Sequence, residues 1–271
     1  MKYAVLSGTT FRFGLIFTRF VLIIQLFFFA VKIIAASPIL LPKFKKYVTI
    51  KGQNAGIGIS SRNAVIFMIL FFDTETTGLV PGRIIQLTYI MQSEKETIAK
   101  NFFFAVSYIE PSAVAVHGFT PEKLAILSNG HTFSTDTEEI YDDFLSADLI
   151  VAHNVKFDIN FMIAEFCYQD RRFRYKQEFD TMKFFTEIMK LPRENHKGYK
   201  YPKLSELTEF LDIYPYDVTR KSGELFSINS VGGHDARYDT AALYLAFNEG
   251  AGRYAELNEI KQKYISGEQC D

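Results

Sequence analysis

The segment 65–78, VIFMILFFDTETTG, decides the fold that this sequence predicts. Its first eight residues are apolar and have the length of a strand, and the run ends at Asp73 in a polar cluster. Asp73 and Glu75 stand two positions apart. Because successive side chains of a strand point to opposite faces, both carboxylates lie on one face of the chain. We therefore expect a buried strand that carries two acidic groups to its end.

The sequence beyond this segment continues with strands and then turns to helices. Residues 83–91 and 97–106 predict two more strands joined by a short polar turn, and three consecutive strands with short links favour an antiparallel meander. Residues 148–152 predict a short buried strand. Helices are expected at residues 120–127, 137–146, 157–169, 181–189, 204–211 and 236–248. A strand-rich first half and a helix-rich second half predict an α/β fold, with helices packed on a mixed sheet.

The charge of the chain is divided unevenly along its length. Residues 1–72 contain nine Lys or Arg and no Asp or Glu, for a charge of +9, while the remainder has 21 basic and 31 acidic residues, for a charge of −10. A net-acidic body argues against the broad phosphate-binding surface of a sequence-independent duplex binder. A local site for a short strand end is compatible with this charge.

The first 67 residues form a basic, apolar extension with three interpretations. Residues 21–41 are apolar enough to cross a hydrocarbon layer of ~30 Å as a membrane-spanning helix, although Lys32 inside this run costs about 2.5–3.5 kcal/mol on insertion. A secretory signal has a similar composition. Translated non-coding sequence upstream of a start at Met68 is the third interpretation. The expected organisation is an extension at 1–67, a domain at 68–251 and a tail at 252–271.

Cysteine usage bears on the location of the protein. Cys167 and Cys270 are its only cysteines, too few for a disulfide framework and without the spacing of metal ligands. We therefore expect a reducing, cytoplasmic location for the body. Membrane anchoring through 21–41 is the alternative.

Two further polar clusters follow the first pair of carboxylates. The segment 152–158, AHNVKFD, leaves a buried strand and places Asp158 in the first turn of a helix, where a carboxylate is favourable in any case. The segment 232–239, GGHDARYD, places His234 at the head of another helix and Asp239 five residues later. Helix capping explains each cluster taken singly. Their order and their strand and helix contexts indicate one carboxylate cluster.

With these motifs, and with the segment 116–120, VHGFT, residues 68–251 resemble the DEDDh family of 3'-5' exonucleases. This family includes the proofreading epsilon subunit of DNA polymerase III, ribonuclease T and oligoribonuclease. The resemblance implies a ribonuclease H-like fold, in which a mixed five-stranded sheet has three antiparallel strands first, then parallel strands, and is flanked by helices. An association with DNA polymerase III is a further implication.

The resemblance also assigns roles to individual residues. The expected catalytic carboxylates and metal ligands are Asp73, Glu75, Asp158 and Asp239. His234, whose spacing to Asp239 is typical of this subgroup, is the expected general base. The residues expected to contact the 3'-terminal nucleotide of the substrate are Thr76, Thr77, Leu79, His117 and Asn154.

Four carboxylates and one histidine suit the hydrolysis of a phosphodiester. Hydrolysis places extra negative charge on the phosphoryl oxygens and on the leaving 3'-oxygen, and two divalent ions stabilise both. Hard oxygen ligands favour Mg²⁺ or Mn²⁺. Histidine exchanges protons near neutral pH and can activate the attacking water. The predicted activity is the release of nucleoside 5'-monophosphates from 3' ends.

The sequence leaves the substrate open. The first hypothesis is trimming of DNA in proofreading or repair, on single-stranded DNA or frayed 3' ends. An exoribonuclease or oligoribonuclease acting on RNA is the alternative, because recognition of the 2'-hydroxyl depends on contact geometry. A catalytically silent nucleic-acid-binding module is the hypothesis of another class. Basic residues at 171–176 are a candidate guide for the strand, with a solvated helix end as an equal alternative.

Overall fold

Five strands form one mixed sheet in the computed structural model of this protein. They are β1 (Ile69–Thr76), β2 (Ile84–Gln92), β3 (Thr97–Phe103), β4 (Leu149–Ala152) and β5 (Glu178–Asp180). Their order across the sheet is β3-β2-β1-β4-β5. The pairs β1–β2 and β2–β3 are antiparallel, whereas β1–β4 and β4–β5 are parallel. The predicted mixed five-stranded sheet, antiparallel first and then parallel, is confirmed.

The structure describes residues 67–194, 197–229 and 231–266. The expected membrane segment 21–41 and the rest of the extension up to residue 66 lie outside these residues. Within the described ranges, no helix is both long and apolar enough to cross a membrane.

Helices cover this sheet. Within the described part of the chain they are α1 (Pro111–His117), α2 (Pro121–Leu127), α3 (Phe133–Ser146), α4 (Val155–Cys167), α5 (Thr181–Met189), α6 (Leu204–Phe210), α7 (Pro215–Phe226), α8 (Ala236–Arg253) and α9 (Ala255–Ile265). All six predicted helices are present, and α1, α7 and α9 are additional. Helix α2 begins as expected, because the Thr120 hydroxyl caps it by accepting from the Lys123 backbone N–H at 3.3 Å.

The central strand β1 is buried on both faces because helices lie on both sides of the sheet. On one face, Leu70 and Phe72 pack with the apolar sides of α3 and α4. On the other face, Ile69 and Phe71 pack with α5, α6, α8 and α9. The described part of the chain therefore has three layers, with a large hydrophobic core on each face of the sheet and a smaller buried cluster of Ile85, Ile109, Phe119 and Leu124.

Strand β1 differs in position from the predicted strand 65–72. It runs from Ile69 to Thr76, so Asp73 and Glu75 lie within the strand and not after it. Hydrogen bonding to β2 continues through these residues, since Asp73 pairs with Thr88 and Glu75 with Gln86. The apolar run alone could not reveal this extension, because pairing with a neighbour and not hydrophobicity holds the acidic end in the sheet.

Residues 252–265, which lie within the expected tail, are helical. Helix α9 buries Leu257 completely in the core that α8 contributes to. Gly250 in α8 permits this packing, because a Cβ there would lie 2.7 Å from Phe185 Cζ and 2.9 Å from Leu257 Cδ2. This part of the chain is thus built into the domain by direct packing.

Candidate active site

Three carboxylates meet where β1 ends. Asp73 and Glu75 project from β1 toward α8, which carries Asp239 in its first turn. Each of the three residues offers one oxygen atom, and these atoms all lie within 4.8 Å of one another. Strand alternation therefore places the carboxylates of Asp73 and Glu75 on one face, as predicted, and the packing of α8 on that face brings Asp239 next to them.

Asp158 joins the site from the opposite layer. It lies in the first turn of α4 and is 3% exposed. Its Oδ1 accepts hydrogen bonds from the Thr74 backbone N–H at 3.1 Å and from the Thr74 hydroxyl at 2.7 Å. Thr74 points to the opposite face of β1 from Asp73 and Glu75, so Asp158 approaches the strand from that opposite face. It is nevertheless close enough for its charge to act on Asp73.

The electrostatics of the site show how closely these groups are placed. Burial raises the pKa of Asp73 well above its ordinary value, and the charges of Asp158, Asp239 and Glu75 raise it further. Burial is also the first cause that raises the pKa of the other three carboxylates. Their pKa values are about 8 for Glu75, about 7 for Asp158 and about 6 for Asp239. Such a cluster attracts positive charge, either as protons or as cations.

The donor set fits a divalent metal. It consists of carboxylate oxygens, which are the ligands that Mg²⁺ and Mn²⁺ prefer. Mutual repulsion of the carboxylates is relieved when a cation lies among them. Because the three oxygen atoms lie within 4.8 Å of one another, they can share one ion without rearrangement of the backbone.

His234 lies next to Asp239 at the entrance to α8. Its backbone N–H donates to Asp239 Oδ2 at 2.9 Å, and its side chain is exposed in a cleft that Asp73 and Asp239 also line. Its φ angle of +62° is uncommon for a residue with a side chain. The contact with Asp239 helps to hold this conformation, which fixes the histidine relative to the carboxylates.

A buried glutamine anchors the entrance of α8 to the sheet. Gln86 on β2 is fully buried. Its Nε2 donates to Asp235 Oδ1 at 3.0 Å, and its Oε1 accepts from the Ala236 backbone N–H at 3.1 Å. Gln86 also stands opposite Glu75 in the β1–β2 register. The sequence prediction missed this residue, because its partners Asp235 and Ala236 are 149 and 150 positions away in the chain.

A small cavity of about 250 Å³ opens beside Glu75. Its lining residues are Thr74, Glu75, Thr76, Gly78, Leu79, Ser112, Ala113, Val116, His117 and Phe157. Three residues expected to contact substrate, Thr76, Leu79 and His117, are among them. Phe157, at the start of the predicted helix 157–169, is also among them, and helix α1, which supplies four lining residues, was not predicted.

Both ring nitrogens of His117 form hydrogen bonds that connect the walls of this cavity. Nδ1 accepts from the Phe119 backbone N–H at 3.1 Å, so the ring proton resides on Nε2, which donates to the Thr76 carbonyl at 3.3 Å. Burial is the main cause that lowers the pKa of His117. A neutral ring with this tautomer satisfies both contacts and fixes α1 against the end of β1.

Thr77 and Asn154, also expected to contact substrate, line neither this cavity nor the larger cleft. The Thr77 hydroxyl accepts from the Arg83 backbone N–H at 3.0 Å and closes the turn between β1 and β2. Asn154 precedes α4, and its backbone N–H donates to Asp180 Oδ1 at 3.1 Å. Their contact with substrate stays a prediction.

A larger cleft of about 820 Å³ opens on the other side of the carboxylates. Asp73, His234 and Asp239 form one wall. The opposite wall comes from α6, α7 and the residues before them, and includes Lys203, Glu209 and Tyr214. None of these three was predicted as a site residue. The carboxylate cluster therefore lies between a small cavity and a larger cleft.

Comparison with known proteins gives a consistent result. A family model described as Exonuclease (RNase_T) matches residues 70–247. The DNA polymerase III subunit epsilon of Rickettsia felis is 33% identical over 102 residues, which are 34% of this chain and 42% of that protein. The same subunit of Pasteurella multocida is 27% identical over 154 residues, 53% of this chain and 57% of that protein. The chain thus spans about two fifths to just over half of these curated relatives.

Solved structures of exonuclease I share the fold. One of them, reported for how processivity is achieved, has 18% identity and a TM-score of 0.55, over 73% of this chain and 44% of that chain. E. coli exonuclease I in complex with a dA16 oligonucleotide has 21% identity and a TM-score of 0.52, over 70% of this chain and 42% of that chain. At these identities the similarity shows the arrangement of sheet and helices alone.

Proposed function

The chain belongs to the RNase_T exonuclease family, and from this premise we propose that it is a metal-dependent 3'-5' exonuclease. The membership confirms the family that the three motifs predicted. The proposed reaction releases nucleoside 5'-monophosphates from the 3' end of single-stranded DNA or a frayed duplex, in proofreading or repair.

The observation that carries the proposal is the convergence of five residues, from β1, α4, α8 and the loop before α8, at one end of the central strand. Asp73, Glu75 and Asp239 present oxygen atoms within 4.8 Å of one another. Asp158 is hydrogen-bonded to the intervening Thr74, and His234 is bonded to Asp239 through its backbone. A purely structural role would not require so many buried carboxylates, because their mutual repulsion destabilises the folded chain.

The carboxylates would hold two divalent ions. Asp73, Glu75 and Asp239 are the proposed direct ligands, and Asp158 is the proposed ligand of the second ion. When bound, Mg²⁺ or Mn²⁺ would supply the positive charge that stabilises the phosphoryl oxygens and the leaving 3'-oxygen.

His234 would take the proton from the attacking water. Its exposed imidazole in the cleft next to Asp239 is suited to this role, because it can approach a phosphate from the solvent side. The hydrogen bond from its backbone to Asp239 keeps the base and the carboxylate in register.

The two cavities fit the proposed polarity of the reaction. The small cavity has apolar walls from Leu79, Val116 and Phe157, which suit a single base at the end of a strand. Gly78, next to Leu79, allows the Glu110 side chain to approach this turn closely, since a Cβ at that position would lie 2.5 Å from the Glu110 carboxyl carbon. The larger cleft leaves room for the strand on the other side of the scissile bond.

One gel assay tests the proposal. Single-stranded DNA and RNA of equal sequence, labelled at the 5' or the 3' end, are incubated with the protein in the presence of Mn²⁺, Mg²⁺ or EDTA. The proposal predicts a ladder of 5'-labelled DNA products and early release of labelled mononucleotide from the 3' end, only with a divalent metal. Products from the 5' end, or equal cleavage in EDTA, would refute it. Faster degradation of RNA would establish the exoribonuclease alternative.

An association with a replicative polymerase is the proposed partnership. It is supported by the two relatives that are named as subunits of DNA polymerase III. Size-exclusion chromatography of the purified chain with the polymerase subunit of the same organism tests it, and separate elution at micromolar concentrations would contradict it.

A further inference from the structure

We propose that residues 197–203 and Tyr214 form a binding surface for single-stranded nucleic acid upstream of the scissile bond. This surface, called the upstream surface below, deepens the proposed exonuclease function and rests on it. It would contact the part of the strand that remains after each cleavage, through stacking of bases on tyrosine rings and attraction of phosphates to lysines.

The composition of residues 197–203 is the first observation. The sequence KGYKYPK contains three lysines, two tyrosines and no acidic residue, so it carries +3 in a body whose charge is −10. Lysines interleaved with aromatic side chains are typical of surfaces that bind single strands, because every base has a face that stacks and every linkage has a phosphate.

Exposure of the aromatic rings is the second observation. Tyr201 is 60% exposed and Tyr214 is 65% exposed. A tyrosine ring in water on a stable domain has lost the benefit of burial that a core position would give. Three such rings occur within sixteen residues of sequence, with Tyr199 as the third, and this concentration favours a binding role.

Continuity with the carboxylates is the third observation. Lys203 and Tyr214 line the same cleft as Asp73 and His234. His153 also lines this cleft, and its Nε2 bonds to the Pro202 carbonyl at 2.9 Å. The cleft wall is therefore fastened at Pro202, between Tyr201 and Lys203, at a fixed distance from the catalytic groups.

The basic residues that the sequence suggested as a guide are placed differently. Arg171 pairs with Glu138, and Lys176 pairs with Asp148 at 2.8 Å. Asp148 immediately precedes β4, so this cluster lies at the opposite edge of the sheet from the carboxylates. Residues 171–176 lie in the loop between α4 and β5, and their role as a guide for the strand stays a prediction.

Two substrates separate the upstream surface from the chemistry. Thymidine 5'-(p-nitrophenyl phosphate) presents a terminal nucleotide in which nitrophenol replaces the upstream strand, whereas the oligonucleotide (dT)12 has a full upstream strand. Both are assayed with the full chain and saturating Mn²⁺. If the wild-type protein hydrolyses neither, the proposed exonuclease function fails. If it hydrolyses both, the variants below decide the inference.

For Tyr201→Ala and Tyr214→Ala, we expect the ratio of kcat/KM on (dT)12 to kcat/KM on the nitrophenyl ester to fall by on the order of tenfold each. Tyr214→Phe retains a stacking face and should restore most of the ratio. Tyr108→Ala removes a tyrosine that is equally exposed, at 65%, but lines neither cavity, and should leave the ratio unchanged. An unchanged ratio for both surface variants would overturn the proposal.

Charge substitutions give an independent readout. Lys203→Ala should reduce the dependence of log KM for (dT)12 on log salt concentration by about 0.7, as expected for one lost phosphate contact on a single strand. Lys95→Ala, in the β2–β3 turn at the far edge of the sheet, is the matched control. Glu209→Gln removes a negative charge from the cleft wall and should lower KM for (dT)12. Equal salt dependence in all three variants and the wild type would overturn the phosphate contact.

Discussion

His234 combines two functions in one residue, because its backbone holds Asp239 while its side chain reaches into the larger cleft. Alanine at this position removes the imidazole and keeps the backbone N–H. We therefore expect His234→Ala to lower turnover by about 10²- to 10⁴-fold, the range for loss of a general base. Its affinity for Mn²⁺ should stay within about twofold. Isothermal titration calorimetry beside the exonuclease assay measures both quantities.

His131→Ala is the matched control for this substitution. His131 is also exposed, and it lies 3.6 Å from an Asp136 oxygen in the loop before α3, away from the carboxylates. Its replacement should leave turnover unchanged. Unaltered turnover in His234→Ala would remove this histidine from the mechanism, and loss of Mn²⁺ binding would assign it a structural role.

The sequence predicts the five signature residues, because their proposed chemistry resides in residue type and spacing. Gln86 could not be identified in this way. Its importance depends on the entrance of α8, which is 150 positions away in the chain and adjacent only in the folded protein. Lys203 and Tyr214 were missed for the same reason, since only the packing of α6 and α7 reveals that they share a cleft with Asp73.

At the scale of elements, the hydrogen bonds between Gln86 of β2 and the start of α8 form a joint between the two elements. This joint positions Asp239 of α8 relative to Asp73 and Glu75 of β1. Gln86→Met would remove all three hydrogen bonds of the amide, to Asn101, Asp235 and Ala236, at similar volume. It would also leave the Ala236 N–H without its buried partner. We expect kcat to fall ten- to a hundredfold, because small displacements of reacting groups have effects of this size. KM for the nitrophenyl ester should change less. Steady-state kinetics of the purified variant measure both constants.

Gln92→Met is the control for this joint. Gln92 lies on the same strand, and its side chain accepts from Asn248 Nδ2 of the same helix at 3.4 Å, but at the end remote from the carboxylates. Gln92→Met should lose less thermal stability than Gln86→Met, because Gln92 is only partly buried and makes one long hydrogen bond, and only Gln86→Met should lose kcat. Equal kcat in the two variants would show that the joint contributes stability alone.

The elements themselves were predictable where one physical signal was strong. Strand β2 is rich in β-forming residues, and α2 has a capping Thr followed by Pro. Strand β5 has three residues, too few for any pattern, and its place follows only from parallel pairing with β4. Helix α1 buries no side chain and so has no apolar periodicity, although Pro111 at its start was a usable signal.

At the scale of the whole molecule, the raised carboxylate pKa values couple stability to pH. A raised folded-state pKa means that the folded chain binds the proton more tightly than the unfolded chain. The resulting stabilisation is complete below the ordinary pKa and is lost as pH rises through the folded pKa. With folded pKa values of about 8 for Glu75, 7 for Asp158 and 6 for Asp239, the window runs from pH 6 to 8.

In EDTA, the melting temperature should therefore rise by several degrees when the pH is lowered from about 8.5 to 6. Glu75→Gln lacks the group with the pKa of about 8 and should show a weaker rise. Differential scanning calorimetry at matched ionic strength measures the slope. A wild-type melting temperature that falls over this interval would contradict the prediction.

Addition of a divalent metal should act in the opposite direction along the pH axis. Protons and Mn²⁺ compete for the same oxygens, so the Kd for Mn²⁺ should be lower at pH 8.5 than at pH 6. At one fixed concentration of Mn²⁺, the melting temperature should therefore rise more at pH 8.5. A concentration of 1,000 times the Kd corresponds to about 4 kcal/mol of stabilisation. A metal-induced increase that is larger at pH 6 would show that the ion binds elsewhere.

The overall architecture was predictable from the order of strands and helices, and the three-layer arrangement follows from the burial of β1 on both faces. Which helices form each layer could not be predicted, because the face of the sheet on which a helix packs depends on how all the connections between strands cross the sheet. Sequence alone therefore could not show that Asp158 and Asp239 approach β1 from different layers.

That division of the site between layers bears on how the protein is made. Asp73, Glu75 and Asp158 leave the ribosome well before Asp239, which joins them only when α8 packs on β1. A partly synthesised or partly folded chain thus lacks a complete set of ligands. On the proposed mechanism, hydrolytic capacity therefore arises only when α8 has packed on β1.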